Sequence, residues 1–112
     1  MKARPRPRAR PVPGSMNKTE QAYAARLDLL KQAGEIIDWQ FEPLKLKLAP
    51  STFYTPDFLV ITEECMELHE VKGFWEDDAR VKIKVAAQLF PWFRIVAVKK
   101  KAKGAWEYEA FL

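Results

Sequence analysis

A chain of 112 residues, 48% hydrophobic and 12% aromatic, has material for one small domain core and no more. No apolar run reaches the length of a membrane span and the basic start lacks the hydrophobic stretch of a signal peptide, so no membrane partner and a cytoplasmic location are expected. The net charge of +4 is unevenly placed: Lys2, Arg4, Arg6, Arg8 and Arg10 sit in the first fifteen residues without an acid, which leaves 14 bases against all 15 acids in the remainder.

Pro5, Pro7, Pro11 and Pro13 alternate with those arginines. Proline fixes φ and removes a donor, so residues 1–15 are expected to form an extended, flexible basic arm and residues 16–112 the folded domain. The arm either lies along phosphates, adding salt-dependent affinity, or serves as a solubilising leader.

After Gly14-Ser15, the pattern predicts a helix over 17–33, with Asn17 as N-cap, Glu20 three residues later and Gly34 beyond the last turn. Tyr23, Leu27 and Leu30 form its core stripe. Glu20 projects beside Leu27 on the edge of that stripe, where it either completes a capping box with Asn17 or points a carboxylate along the sheet-facing side.

Residues 35–48 predict one or two strands, broken at Glu42-Pro43, with Lys45 and Lys47 on the exposed face. Ala49-Pro50-Ser51 reads as a loop leading to Phe53 and Tyr54, the latter either a packing aromatic or a ring at the mouth of a site. Thr55–Ile61 and Met66–Val71 read as two strands of a hairpin around an acidic turn at Thr62-Glu63-Glu64. The single Cys65 cannot form an internal disulfide, belongs in or beside that turn, and fits a reducing compartment.

Past the second strand, Phe74 and Trp75 either fill a helix–sheet seam or stack on unpaired bases. Glu76-Asp77-Asp78 suits a helix start, and the helix is predicted to run to about Phe90, where Pro91 stops it. Val81, Val85, Ala86 and Leu89 are assigned to its apolar face and Arg80, Lys84 and Gln88 to a polar stripe. Lys82 falls in the middle of the apolar face, one turn after Asp78, so it either snorkels into an Asp78 ion pair or extends to a phosphate. A strand over 92–98, a basic turn over 99–104 and a last strand over 106–112 complete the chain.

The chemistry concentrates in the hairpin. Side chains repeat every second position in a strand, so Glu70 and Lys72 share a face with Leu68 and Met66, while His69 and Val71 take the other. Antiparallel pairing brings Asp57, at the start of one strand, to the same sheet edge as Glu70. Two close carboxylates repel unless a cation lies between them, and hard oxygen ligands suit Mg²⁺ or Mn²⁺. With Lys72 beside them, the set supplies what phosphodiester hydrolysis needs, a cation to polarise phosphate and a positive group for transition-state charge. The plainer reading is a turn aspartate and a same-face ion pair.

Pro56-Asp57 followed by Glu70-Val71-Lys72 resembles the signature of the PD-(D/E)XK nucleases. The segments Asn17–Glu20, Phe53–Phe58 and His69–Phe74 are similar to a small phage family of that superfamily, from about Asn17 to the C-terminus. The resemblance implies an α/β restriction-endonuclease-like core, a central mixed sheet flanked by helices, with the acids and lysine at a forked sheet edge. It implies Asp57, Glu70 and the backbone carbonyl of Val71 as metal ligands, Lys72 as the catalytic cation, and Glu20 as a third acid; Lys82 joins them if it reaches phosphate. Arg4, Arg6, Arg8, Arg10, Tyr54, Phe74 and Trp75 are the candidate nucleic-acid contacts. The expected function is a Mg²⁺- or Mn²⁺-dependent DNA endonuclease without an organic cofactor, acting as a homodimer on branched DNA in the manner of a Holliday junction resolvase. Another nickase or exonuclease of the same fold, or a non-catalytic DNA-binding protein, are the alternatives.

Overall fold

The computed structural model describes residues 15–72 and 77–111, with Asp77 and Asp78 by backbone alone. The arginines of the basic arm, and Phe74 and Trp75, lie outside the described residues. Along the chain run α1 (Lys18–Gln32), β1 (Asp38–Phe41), β2 (Leu46–Ala49), β3 (Thr52–Tyr54), β4 (Phe58–Ile61), β5 (Met66–Lys72), α2 (Asp77–Leu89), β6 (Arg94–Lys100) and β7 (Trp106–Phe111).

The protein is α/β. Five strands form one mixed sheet in the order β1-β4-β5-β6-β7, with β5 and β6 parallel and the other neighbours antiparallel. Strands β2 and β3 form a separate hairpin between β1 and β4. Parallel strands need a crossover, and α2 supplies it between β5 and β6. The two helices cover opposite faces. Tyr23, Ala24 and Leu27 of α1 pack with Phe58, Val60, Val71, Val96 and Val98, whereas Ile83 and Ala86 of α2 pack with Leu59, Leu68, Ile95, Ala97 and Phe111. Alternation along β5 is therefore the device that gives each face its own chemistry.

Helix α1 begins as its sequence predicts. The Asn17 side chain accepts from the Glu20 N–H at 2.8 Å and Glu20 Oε1 accepts from the Asn17 N–H at 2.9 Å, a complete capping box. Gly34 ends it at φ +79°, a conformation that a Cβ would strain.

Three expectations need correction. The strand expected over 55–61 starts only at Phe58, because Pro56 has no N–H for a ladder and Thr55–Asp57 carries the chain from the β2–β3 hairpin back onto the sheet. The strand expected over 92–98 lies at 94–100, so Lys99 and Lys100 belong to the sheet and not to the turn.

The third correction concerns α2, which has two apolar stripes. Ile83, Ala86, Ala87 and Phe90, spaced i, i+3, i+4, i+7, face the sheet, while Val81, Val85 and Leu89, assigned above to the core face, are 58%, 37% and 46% exposed. Either spacing makes a helical stripe, and the one that packs on the Leu59–Leu68–Ile95 surface is that of Ile83 and Ala86. Among the described residues no helix is long and apolar enough to cross a membrane.

Candidate active site

The register Phe58↔His69 continues to place Asp57 opposite Glu70 at the end of the β4–β5 pair. Both carboxylates are buried, Asp57 6% and Glu70 7% exposed. The Val71 N–H donates to Asp57 Oδ2 at 2.8 Å. Among the described residues Asp57 Oδ1 has no hydrogen-bond partner, and since no fully enclosed side-chain polar atom there lacks one, that oxygen is not fully enclosed.

Glu70 is held from two sides. The Tyr54 hydroxyl donates to Oε1 at 2.9 Å, and the Lys72 ammonium lies 3.5 Å from Oε2. Glu70 and Lys72 do share a strand face, and the hairpin delivers Tyr54 to it from above. Tyr54 itself is buried in the α2-side cluster. Its hydroxyl holds the Glu70 carboxylate, and the residue also lines the cleft beside the site.

Burial and the neighbouring Glu70 charge push Asp57 up to about 8, Glu20 adding to the rise and the Val71 N–H and Lys72 opposing it. Burial also raises Glu70, against the pull of Lys72 and Tyr54. For Lys72, burial acts downward, but Glu70 and Asp57 outweigh it with help from Glu20, and the net direction is up. The pair thus shares its ionisation, and the lysine is firmly an ammonium.

A cleft of about 390 Å³ opens beside the pair, walled by Phe53, Tyr54, Thr55, Glu70, Lys72, Ala79, Lys82 and Ile83. Lys82 is exposed at this cleft and makes no ion pair among the described residues; the Asp78 side chain expected to compete for it lies outside them. Glu20 does two things at once, capping α1 and adding its negative charge to the field at Asp57 and Lys72. Val71 stands between the acid and the lysine with its side chain in the α1-side core. Ile83, which forms part of the cleft wall, was missed because Val81 and Val85 gave an equally good helical stripe.

His69 faces away from the acids. Glu67 Oε1 accepts from Nε2 at 2.9 Å, leaving Nδ1 to accept from the Tyr23 hydroxyl at 2.6 Å. That network ties α1 to the opposite face of β5.

Two adjacent carboxylates, one with an oxygen that no described residue binds, fit a hard cation such as Mg²⁺ or Mn²⁺, whose charge would offset the burial and the repulsion that raise Asp57. Among the described residues no group of three or more His, Cys, Asp or Glu gathers at metal-binding distance. No protein-family model, curated protein or solved structure matches this chain.

Proposed function

We propose that this chain is a metal-dependent DNA endonuclease of the PD-(D/E)XK type, selective for branched DNA and acting as a homodimer. The observation that carries the reading is the juxtaposition of Asp57 and Glu70, buried side by side, with the Lys72 ammonium 3.5 Å from Glu70 and an open cleft beside them. Structural ion pairs are normally exposed and cheap, whereas a buried like-charged pair costs stability and belongs to the perturbed groups that cluster at functional sites.

Asp57 and Glu70 would hold Mg²⁺ or Mn²⁺, with the Val71 carbonyl as a further ligand. The bound ion would supply the Lewis acidity that polarises a phosphate and lowers the pKa of a water. The Val71 N–H fixes the Asp57 carboxylate, and Tyr54 fixes that of Glu70, so neither has to reorganise. Lys72, held as an ammonium, acts as a charge donor to a non-bridging phosphate oxygen, since its raised pKa disfavours a role as base. Glu20 strengthens the negative field around the pair. Lys82, on the cleft wall, offers a second cation to the phosphate. The arginines of the basic arm add affinity without reading sequence.

The described residues form one α/β unit whose candidate site lies at a sheet edge, an arrangement suited to recognition by DNA shape. Resolving a four-way junction requires two incisions on two strands, hence two copies of the site. The test is cleavage of a synthetic four-way junction beside a matched linear duplex, a flap and a single strand, with Mg²⁺, Mn²⁺ or chelator. Preferential metal-dependent cutting of the junction supports the reading. Faster cutting of the flap or duplex would move it to a nickase or exonuclease of the same fold, and binding without cutting of any substrate would leave a non-catalytic DNA-binding protein.

A further inference from the structure

The lysine run after β6 does not act as one unit. Ile95 and Ala97 pack on the α2 side of the sheet and Val96 and Val98 on the α1 side, so alternation puts Lys99 on the face that carries Glu70 and Lys72, and Lys100 on the opposite one. Lys99 is the direct register partner of Lys72 across the parallel β5–β6 pair. Neighbouring strands lie about 4.8 Å apart, so two lysines stand side by side on one face at the end of the sheet.

Like charges in register destabilise a sheet unless an anion answers them. Lys72 has Glu70. The carboxylate placed to answer Lys99 is Glu107, its register partner on β7, but Glu107 Oε2 is taken by Lys101 at 3.1 Å. Lys99 is half-buried and makes no ion pair or hydrogen bond with another described side chain. A partly buried lysine with no acid among the described residues, one strand away from the candidate centre, is placed to receive an anion supplied from outside.

We propose that Lys99 binds the phosphate adjacent to the scissile one on the strand being cut, so that the substrate backbone crosses the sheet edge from Lys82 past Lys72 to Lys99. The inference rests on the nuclease reading and adds a direction to it: the strand runs across β5 and β6, over their C-terminal ends. Lys99 is a positioning residue, since it lies one strand beyond the carboxylates and touches no reacting atom.

The experiment compares the full-length wild-type chain with Lys99→Met, Lys99→Arg and Lys100→Met, using a labelled four-way junction in chelator across a salt series, followed by single-turnover cleavage in Mg²⁺. Lys99→Met keeps the apolar stem and removes the charge. It is expected to lower the slope of log affinity against log salt by about one, weaken binding roughly tenfold, and leave the saturated cleavage rate near wild type. Lys99→Arg should retain the slope, and Lys100→Met, one residue away with the same charge on the other face, should behave as wild type. An unchanged slope in Lys99→Met, or an equal fall in Lys100→Met, overturns the proposal while wild-type cutting leaves the nuclease reading standing. Failure of the wild-type chain to bind any DNA removes both.

Discussion

The main-chain N–H of Val71 points into the carboxylate of Asp57, 2.8 Å from Oδ2. Asp57 is thereby oriented by the strand that carries Glu70 and Lys72, so the three side chains share one rigid support. The bond also opposes, without overcoming, the burial that raises the Asp57 pKa.

Asp57→Asn and Glu70→Gln are each expected to reduce cleavage by about 10³-fold or more while the fold persists, because Asn retains an oxygen for the Val71 N–H. DNA binding should survive, since both changes remove negative charge facing a phosphate. Circular dichroism, filter binding and single-turnover kinetics on the two variants check this; wild-type turnover in either would dismiss the site.

How much of this was readable beforehand depended on whether local rules were sufficient. Asn17, Glu20 and Gly34 act within a few residues of chain, and α1 starts and stops where they say. The opposition of Asp57 and Glu70 followed from period two and a short acidic turn. Two features escaped because they depend on distant chain. Tyr54 reaches Glu70 only through the β2–β3 hairpin, whose first strand the alternation at Lys45 and Lys47 marks but whose pairing apart from the main sheet no local pattern announces. The choice between the Val81 and Ile83 stripes of α2 was made by the sheet surface beneath, and the helix sequence alone admits both.

The pH dependence of stability has a definite sign. Asp57 is raised from an ordinary 3.8 to about 8, so the folded chain holds a proton that the unfolded chain has released. The contribution of this pair to metal-free stability is therefore full below about pH 4 and lost as pH rises towards 8, with Glu70 acting in the same direction as Asp57. Thermal melting of wild type against Asp57→Asn isolates the effect; parallel profiles would contradict it. Added Mg²⁺ or Mn²⁺ should raise the wild-type melting temperature more at pH 8 than at pH 6, because fewer protons remain to be displaced.

Tyr54→Phe removes one hydroxyl and keeps the buried ring. Glu70 then loses a donor to its ionised form, so its affinity for protons rises and metal binding should weaken by about 10-fold to 100-fold, the usual effect of losing a ligand's supporting hydrogen bond. Calorimetric titration with Mn²⁺ measures it. Unaltered affinity would reduce Tyr54 to a packing residue.

Lys82→Met separates chemistry from stability. The side chain is exposed and makes no ion pair among the described residues, so the melting temperature should not move, yet cleavage under single-turnover conditions should slow by about 10²-fold if the ammonium meets the phosphate. A normal rate would take Lys82 out of the site.

The acids differ in how firmly the fold holds them. Strand β5 is paired with β6 as far as Lys72 and with β4 as far as His69, and the Val71 N–H just beyond the β4 ladder is held by the buried Asp57 carboxylate, with the Val71 side chain in the α1-side core. Glu20 belongs to the first turn of α1, where helices fray most readily, and is held there by a reciprocal pair of cap bonds at 2.8 and 2.9 Å. Deuterium uptake should be slow at Val71 and fast at the amides of Asn17 to Glu20. Fraying of that turn would move the Glu20 charge away from Asp57 and Lys72 and bring it back while the sheet stays intact, so the negative field at the pair is adjustable without unfolding the strands that carry it.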